Sequence, residues 1–258
     1  MPELPEVETI RRQLFKKIVG KKINGQRIVG LRRRAKILII DFDNGSSLIF
    51  HLKLTGQLIF NGRPAGRRGE PRPFGAGKPS PYTRRVFNFD DGSQLIFNDI
   101  RRFGWYKIVK ETKKMEEEFG PEALEIDFKT FKELLEKRPN SKIKPLLMDQ
   151  KFIAGIGNIY SDEILFAAKT HPLRQVKTLK DKEVRQIHQN IKKILNKAIQ
   201  YRGTTEQYYR DAYGREGSYA KYLKIYQKEG KKCSRCGAKI KRIKIGGRSA
   251  HFCPHCQK

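Results

Sequence analysis

Three observations predict an α+β chain of more than one domain. Six short β-branched or aromatic segments lie between residues 36 and 110, apolar residues recur at helical spacing between 128 and 201, and two Cys-x-x-Cys pairs fall in the last 26 of 258 residues. The segments 36–43, 46–54, 56–60, 84–90, 93–98 and 104–110 are divided by turns such as Asp43-Asn44-Gly45 and Asp90-Asp91-Gly92, the punctuation of an antiparallel sandwich.

Ahead of the sandwich, Val7, Ile10, Leu14 and Ile18 recur at helical spacing. Glu6 and Glu8 lie in the first turn and Lys16 and Lys17 in the last, so both charge groups complement the helix dipole. Residues 61–85 hold five Pro, five Gly and seven Lys/Arg, the composition of a long, exposed basic loop. Between Lys110 and Asp127 the composition turns charged around Gly120-Pro121, and the apolar period changes from two to 3.6, which marks a boundary. Helices follow at 128–137, 142–150, 158–168 and 181–201. The last carries Val184, Ile187, Ile191, Leu195 and Ala198 on one face behind a Thr178-x-x-Asp181 capping signal. The organisation expected is 1–110, a linker at 111–127, a helical domain at 128–220 and a metal module at 221–258.

Charge indicates the partner. Lys and Arg number 56 against 27 acids, a formal charge of +29, which suits a polyanion. No apolar run reaches the length of a membrane span and the acidic start is unlike a signal peptide, so a cytoplasmic protein is expected. Cys233, Cys236, Cys253 and Cys256 form two knuckles 16 residues apart, which aim four thiolates at one tetrahedral ion. One structural zinc is expected, with His251 and His255 as possible substitute ligands. The interval suits a β-hairpin carrying Lys239, Lys241, Arg242, Lys244 and Arg248, a basic surface for DNA.

Three stretches admit two readings each. Ala154-Gly155-Ile156-Gly157-Asn158 precedes a helix, as a packed turn or as bare N–H groups for a phosphate. Asn98-Asp99-Ile100-Arg101-Arg102-Phe103-Gly104 is an ordinary strand entry with a buried Phe, or a wedge that fills the gap left by an extruded base. At the start, Pro2 and Glu3 either initiate the helix or, once Met1 is removed, present a secondary amine able to attack a sugar C1′ beside a proton donor.

PELPEVE at the start, RRRAK at 32–36, HLKLTG at 51–56, IRRFG at 100–104, AGIGNIYSDE at 154–163 and the four-Cys tail occur in one order. In this the chain resembles the formamidopyrimidine-DNA glycosylase family of bacterial base-excision repair enzymes. The resemblance implies an N-terminal β-sandwich flanked by helices, a helix-two-turn-helix domain and a β-hairpin zinc finger. It implies a monomer that excises oxidised purines such as 8-oxoguanine or formamidopyrimidines from double-stranded DNA, and then cleaves the strand by β,δ-elimination in the bacterial nucleoid. Pro2 matches the Schiff-base nucleophile, Glu3 the general acid/base and Lys36 the catalytic lysine that holds the phosphate beside the lesion. Glu6 matches a residue near the lesion pocket, and 203–222 the loop covering the everted base, with Ser218 and Tyr219 placed there. Leu54, Arg101 and Phe103 match the void-filling residues, and Lys144, Asn158 and Arg248 match DNA contacts.

Two departures stand out. The interval between the first helix and RRRAK is shorter than in the family by about twenty residues, so a strand and helix of the sandwich are expected to be missing or replaced. Thr83-Arg84-Arg85 stands where many relatives have His-x-His. The related endonuclease VIII enzymes, which prefer oxidised pyrimidines, usually begin PEGPE, so Leu4 favours the purine class. A noncatalytic zinc-containing DNA-binding protein is the alternative of another kind.

Overall fold

The structure is a computed structural model and describes residues 1–62 and 80–258; most of the expected basic loop at 61–85 lies outside the described residues. Helix α1 (Leu4–Ile18) follows an extended Glu3 and has Pro5 in its first turn. Val7, Ile10, Leu14 and Ile18 are buried, each worth about 1.5–3 kcal/mol. The short β1 (Lys22–Ile23) and the nine-residue β2 (Gln26–Arg34) come next and fill the shortened interval. Sequence reading missed β2, because Gln-Arg-Ile-Val-Gly-Leu-Arg-Arg-Arg has no clean alternation and a register shift near Ile28 and Gly30 breaks its period.

The other strands fall close to the expected segments: β3 (Ile37–Phe42), β4 (Ser47–His51), β5 (Gly56–Asn61), β6 (Thr83–Asn88), β7 (Gln94–Asp99) and β8 (Trp105–Val109). They form two antiparallel sheets, ordered β1-β2-β3-β4-β8 and β5-β7-β6. One core holds Leu38, Ile40, Leu48 and Phe50 of the first sheet, Leu58, Phe87, Leu95 and Phe97 of the second, and the apolar stripe of α1. Phe50 meets Phe87 and Phe97 edge to face, the geometry that ring quadrupoles favour.

After the short α2 (Lys113–Glu117) come α3 (Phe128–Glu136), α4 (Ile143–Met148), α5 (Asn158–Ala167) and α6 (Asp181–Gln200). Asp127 caps α3 by accepting from the Thr130 N–H at 2.8 Å. The cap of α6 differs from expectation: Glu183 reaches back to the Lys180 N–H at 2.8 Å. Thr178 instead closes a single 3-10 turn onto the Gln175 carbonyl. The chain ends in the hairpin β9 (Lys241–Ile245) and β10 (Arg248–Phe252), turned by Gly246 and Gly247 at positive φ.

The chain divides into two units, Met1–Glu116 with Ala198–Ala220, and Glu117–Lys197 with Lys221–Lys258. Sequence reading assigned 128–220 to one helical domain, whereas 198–220 packs with the first unit. Tyr209 and Ala212 join the sandwich core, and Gln13 binds Asp211 and the Ala212 N–H. Among the described residues no helix is long and apolar enough to cross a membrane.

Candidate active site

Glu3 and Glu6 make a capping box at the start of α1, with the Glu3 N–H donating to Glu6 Oε2 at 2.8 Å. The second oxygen of Glu6 accepts the Thr204 N–H at 2.7 Å, and the buried Tyr209 hydroxyl donates to the Glu6 carbonyl at 3.3 Å. Burial and the charges of Glu6 and Asp211 hold that phenol well above its ordinary range, so it stays neutral and donates. Gly203 is required here, since a Cβ would sit 2.7 Å from Glu6 Oε1 and φ is +78°. Pro2, Glu3 and Glu6 are all buried on this mount.

Residues 203–219 therefore form a strap across α1. The Thr205 hydroxyl accepts the Gly217 N–H and donates to the Tyr209 carbonyl, while Glu206, Gln207 and Tyr208 form the exposed tip. Ser218 and Tyr219, expected near the lesion, lie at the strap's foot. Ser218 donates its N–H and hydroxyl to the Tyr201 carbonyl, and Tyr219 is buried near the Tyr201 ring. The tip residues 206–208 are open to solvent, whereas Ser218 is half-buried and Tyr219 is buried.

Lys36 occupies the two-residue connection between β2 and β3, after Ala35 at φ +54°, and is 7% exposed. Its ammonium acts on His51: burial first, then Lys53 and Lys36, press that imidazole down to about 4. His51 is thus neutral at pH 7 and accepts the Lys53 N–H at Nδ1, 3.0 Å away.

A single buried carboxylate organises the three expected void fillers. Asp99, 1% exposed, accepts from the Thr55 hydroxyl and from the Gly104 N–H at 2.6 Å, and Thr55 Oγ1 in turn accepts the Arg101 N–H at 3.0 Å. The clip joins the turn with Leu54 to the loop with Arg101 and Phe103. Gly104 fits because a Cβ would meet Asp99 at 2.9 Å, and Gly56 because one would lie 2.5 Å from the Leu52 carbonyl oxygen. Phe103 is 55% exposed, with the Arg101 guanidinium 5.3 Å from its ring centre, so it is not the buried Phe of an ordinary strand entry. Asp99 and Thr55 were not legible in sequence, since neither sits in a recognisable acid–base pattern.

In the second unit Asn158 is the first residue of α5, behind Gly155 at φ +105° and Gly157. Gln150 braces this turn, accepting from the Gly155 N–H at 2.9 Å and donating to the Ile156 carbonyl at 2.8 Å. Asn158 Oδ1 is buried without a hydrogen-bond partner among the described residues. Arg248 is exposed at the first position of β10.

Lys144, expected as a DNA contact, is enclosed by the second unit. It is 1% exposed, and its ammonium donates to Asp162 Oδ1 at 2.6 Å and to the Ser249 carbonyl at 2.7 Å. Asp162 Oδ2 accepts the N–H and Nδ1 of His251, both at 2.9 Å. Lys144 thus ties α4 and α5 to β10 from within, and His251 serves the same network instead of a metal. Glu163 adds a second tie by accepting the N–H groups of Lys224, Ile225 and Tyr226.

The four cysteine sulfurs lie within 4.8 Å of one another, with separations of 4.0 Å for Cys233 to Cys256 and 3.4 Å for Cys236 to Cys253. Four zinc–sulfur bonds of about 2.3 Å span tetrahedral edges of about 3.8 Å, so the donor set fits one zinc. Burial, then the three neighbouring sulfurs, push the Cys256 thiol up to about 12, because a thiolate in this cluster needs a cation. The N–H groups of Arg235 and Cys256 donate to Cys233 and Cys253 sulfur at 3.4 Å, the knuckle arrangement.

Three family models match in chain order. They are the formamidopyrimidine-DNA glycosylase N-terminal domain at residues 21–106, its H2TH domain at 119–209, and a zinc finger found in FPG and IleRS at 230–258. The chain is 38% identical to a formamidopyrimidine-DNA glycosylase of Pelotomaculum thermopropionicum, covering all of this chain and 99% of that one. It superposes with a TM-score of 0.85 on Lactococcus lactis Fpg in complex with abasic-site DNA, at 35% identity and 99% coverage of both chains. It also superposes on the same bacterium's Fpg bound to N7-benzyl-Fapy-dG DNA, with a TM-score of 0.84, 36% identity and full coverage of both. The four cysteines hold one structural zinc. On matches that run the length of both chains, this protein belongs to the formamidopyrimidine-DNA glycosylase family.

Proposed function

We propose that the protein is a DNA glycosylase and AP lyase of base-excision repair that removes oxidised purines from duplex DNA in the cytoplasm. The observation that carries this reading is the mount at the start of α1, where the capping box and Thr204 hold Pro2 and Glu3 in one place. Relatives that this chain matches from end to end are solved in complex with abasic-site and N7-benzyl-Fapy-dG DNA.

Removal of Met1 frees the Pro2 nitrogen as a secondary amine, whose lone pair attacks C1′ while the glycosidic bond breaks and the base leaves with a proton. Glu3 then protonates O4′ as the C1′–O4′ bond opens and the nitrogen lone pair closes the iminium, which drains electrons from C2′ so that loss of its proton permits β- and then δ-elimination of the phosphates. Lys36 places its cation against the phosphate beside the lesion. Leu54, Arg101 and Phe103 fill the gap opened by extrusion, and Asn158 and Arg248 hold backbone phosphates. The zinc staples the hairpin that carries Arg248.

Borohydride reduction of processed protein on a duplex containing 8-oxoguanine should yield a covalent adduct that retention of Met1, which acylates the Pro2 nitrogen, abolishes and Glu3→Gln depletes. Lack of adduct with fully processed protein would refute the reading. A faster reaction on thymine glycol than on 8-oxoguanine would place the chain with the pyrimidine enzymes.

A further inference from the structure

Glu8 and Arg33 belong to no step described above, yet they form a buried, multiply bonded charged pair of the first unit. Glu8 lies on α1 beyond Glu6 and is almost enclosed. Its Oε1 accepts from Arg11 at 2.8 Å and from Arg12 at 2.7 Å, and its Oε2 accepts from Arg11 at 3.0 Å and from Arg33 at 3.2 Å. The side chains of Arg33 and Glu8 are 6% and 8% exposed. Burial acts to raise the Glu8 carboxyl, but the bonds from Arg11 and Arg12 prevail and bring it down to about 2, so the charge persists at every working pH.

Arg33 continues the chain of contacts. While Nε is held by Glu8, its NH1 donates to the Ala35 carbonyl at 2.9 Å. Ala35 is buried and sits at φ +54°, a region an L-residue with a Cβ adopts only when its surroundings hold it there. The peptide that Arg33 grips is the one joining Ala35 to Lys36. One guanidinium therefore connects the helix carrying Pro2 and Glu3 to the turn carrying Lys36. A lysine at 33 has no rigid fork and could not hold both partners at this spacing.

We propose that Glu8 and Arg33 are positioning residues for the reaction, fixing the Lys36 turn in register with the α1 mount so that ammonium and nucleophile meet one sugar-phosphate together. Arg11 and Arg12 serve by keeping the Glu8 carboxylate in place. The inference rests on the roles given to Pro2 and Lys36 above. It predicts that loss of the link slows chemistry while leaving the broad electrostatic hold on DNA intact, because the pair is buried and meets no phosphate.

The test is a mutant cycle on the full-length, Met1-processed, zinc-loaded protein. Single-turnover borohydride trapping on a preformed abasic-site duplex is measured for wild type, Arg33→Met, Lys36→Ala and the double variant. Glu8→Gln serves as the conservative second perturbation of the same link, Arg33→Lys tests the fork, and melting and duplex affinity are recorded for each. Residues acting through one another show non-additive effects. The expected result is at least a tenfold slower trapping step for Arg33→Met, Arg33→Lys and Glu8→Gln with affinity within about threefold. Arg33→Met should cost less than twofold more in the Lys36→Ala background. An equal loss in both backgrounds would overturn the inference and leave the pair a packing element. Unchanged trapping in Arg33→Met and Glu8→Gln, with Lys36→Ala impaired, would overturn it while sparing the reading of Lys36. Unchanged trapping in Lys36→Ala and in protein that retains Met1 would remove the functional reading itself, and this inference with it.

Discussion

Replacing Asp99 by Ala should damage both stability and base extrusion, and the size of each effect can be worked from the clip. The carboxylate accepts from the Thr55 hydroxyl and the Gly104 N–H and is buried. Truncation leaves two donors without their acceptor. A hydrogen bond to a charged group is worth about 1.5–3 kcal/mol, so the loss is about 3–6 kcal/mol before relaxation, and water entering the space brings it toward about 3 kcal/mol. For a chain of this size that lowers Tm by roughly 6–12 °C. Thr55 also accepts from the Arg101 N–H, so the turn with Leu54 and the loop with Arg101 and Phe103 lose their common tether. Excision of 8-oxoguanine from paired duplex should then fall by more than excision of the same lesion placed in a bulge, where extrusion is already cheap. Differential scanning calorimetry and single-turnover cleavage on the two substrates measure these effects. A Tm within 2 °C of wild type, or equal losses on both substrates, would refute the clip.

Three further outcomes follow from the remaining geometry. His51 is pressed from 6.5 to about 4 by burial and then by Lys53 and Lys36, so the folded chain binds fewer protons than the unfolded chain between those values. Stability should therefore fall by up to about 3 kcal/mol as pH drops from 6.5 to 4, and His51→Gln should flatten denaturant-derived stability across that window. Lys144→Ala strands Asp162 in the interior with His251 alone. It should destabilise the second unit by about 3–5 kcal/mol, and fast hydrogen exchange confined to α4, α5 and β10 would reveal it, whereas a surface phosphate contact would leave exchange untouched. Stripping zinc with a chelator should release one ion per chain and unravel the hairpin, seen as loss of duplex affinity that zinc restores; undiminished affinity of the stripped protein would contradict the staple.

Much of the fold was legible because its signals are periodic. Val7, Ile10, Leu14 and Ile18 announce α1, and the turns at Asn44-Gly45 and Asp91-Gly92 announce the hairpins they close. Strand β2 was not legible, since its arginines at 32, 33 and 34 serve specific partners instead of alternating between water and core. Arg32 binds Asp41 and Glu116, and Arg33 binds Glu8. The knuckles were legible from spacing alone. The foot of the strap was not, because Tyr219 is buried by contacts formed far from it in sequence, and a pattern of polar and aromatic residues reads equally as loop tip or anchor.

Lys144 matches a DNA contact of the family by its motif position. Yet its neighbours on α4, Ile143, Leu146 and Leu147, are buried as well, so the short helix has too little solvent face to keep Lys144 outside. An ammonium drawn inside needs a carboxylate within reach, and Asp162 on α5 provides it at 2.6 Å. The same carboxylate holds the His251 backbone, and the same ammonium holds the Ser249 carbonyl, so the pair reads the backbone of β10 on two residues at once. Arg248 is the first residue of that gripped strand, and Asn158 begins the helix that grips it. From inside the fold Lys144 can thus set the spacing between two residues proposed to hold phosphates, and substitution at 144 should change how Asn158 and Arg248 act together more than it changes net charge.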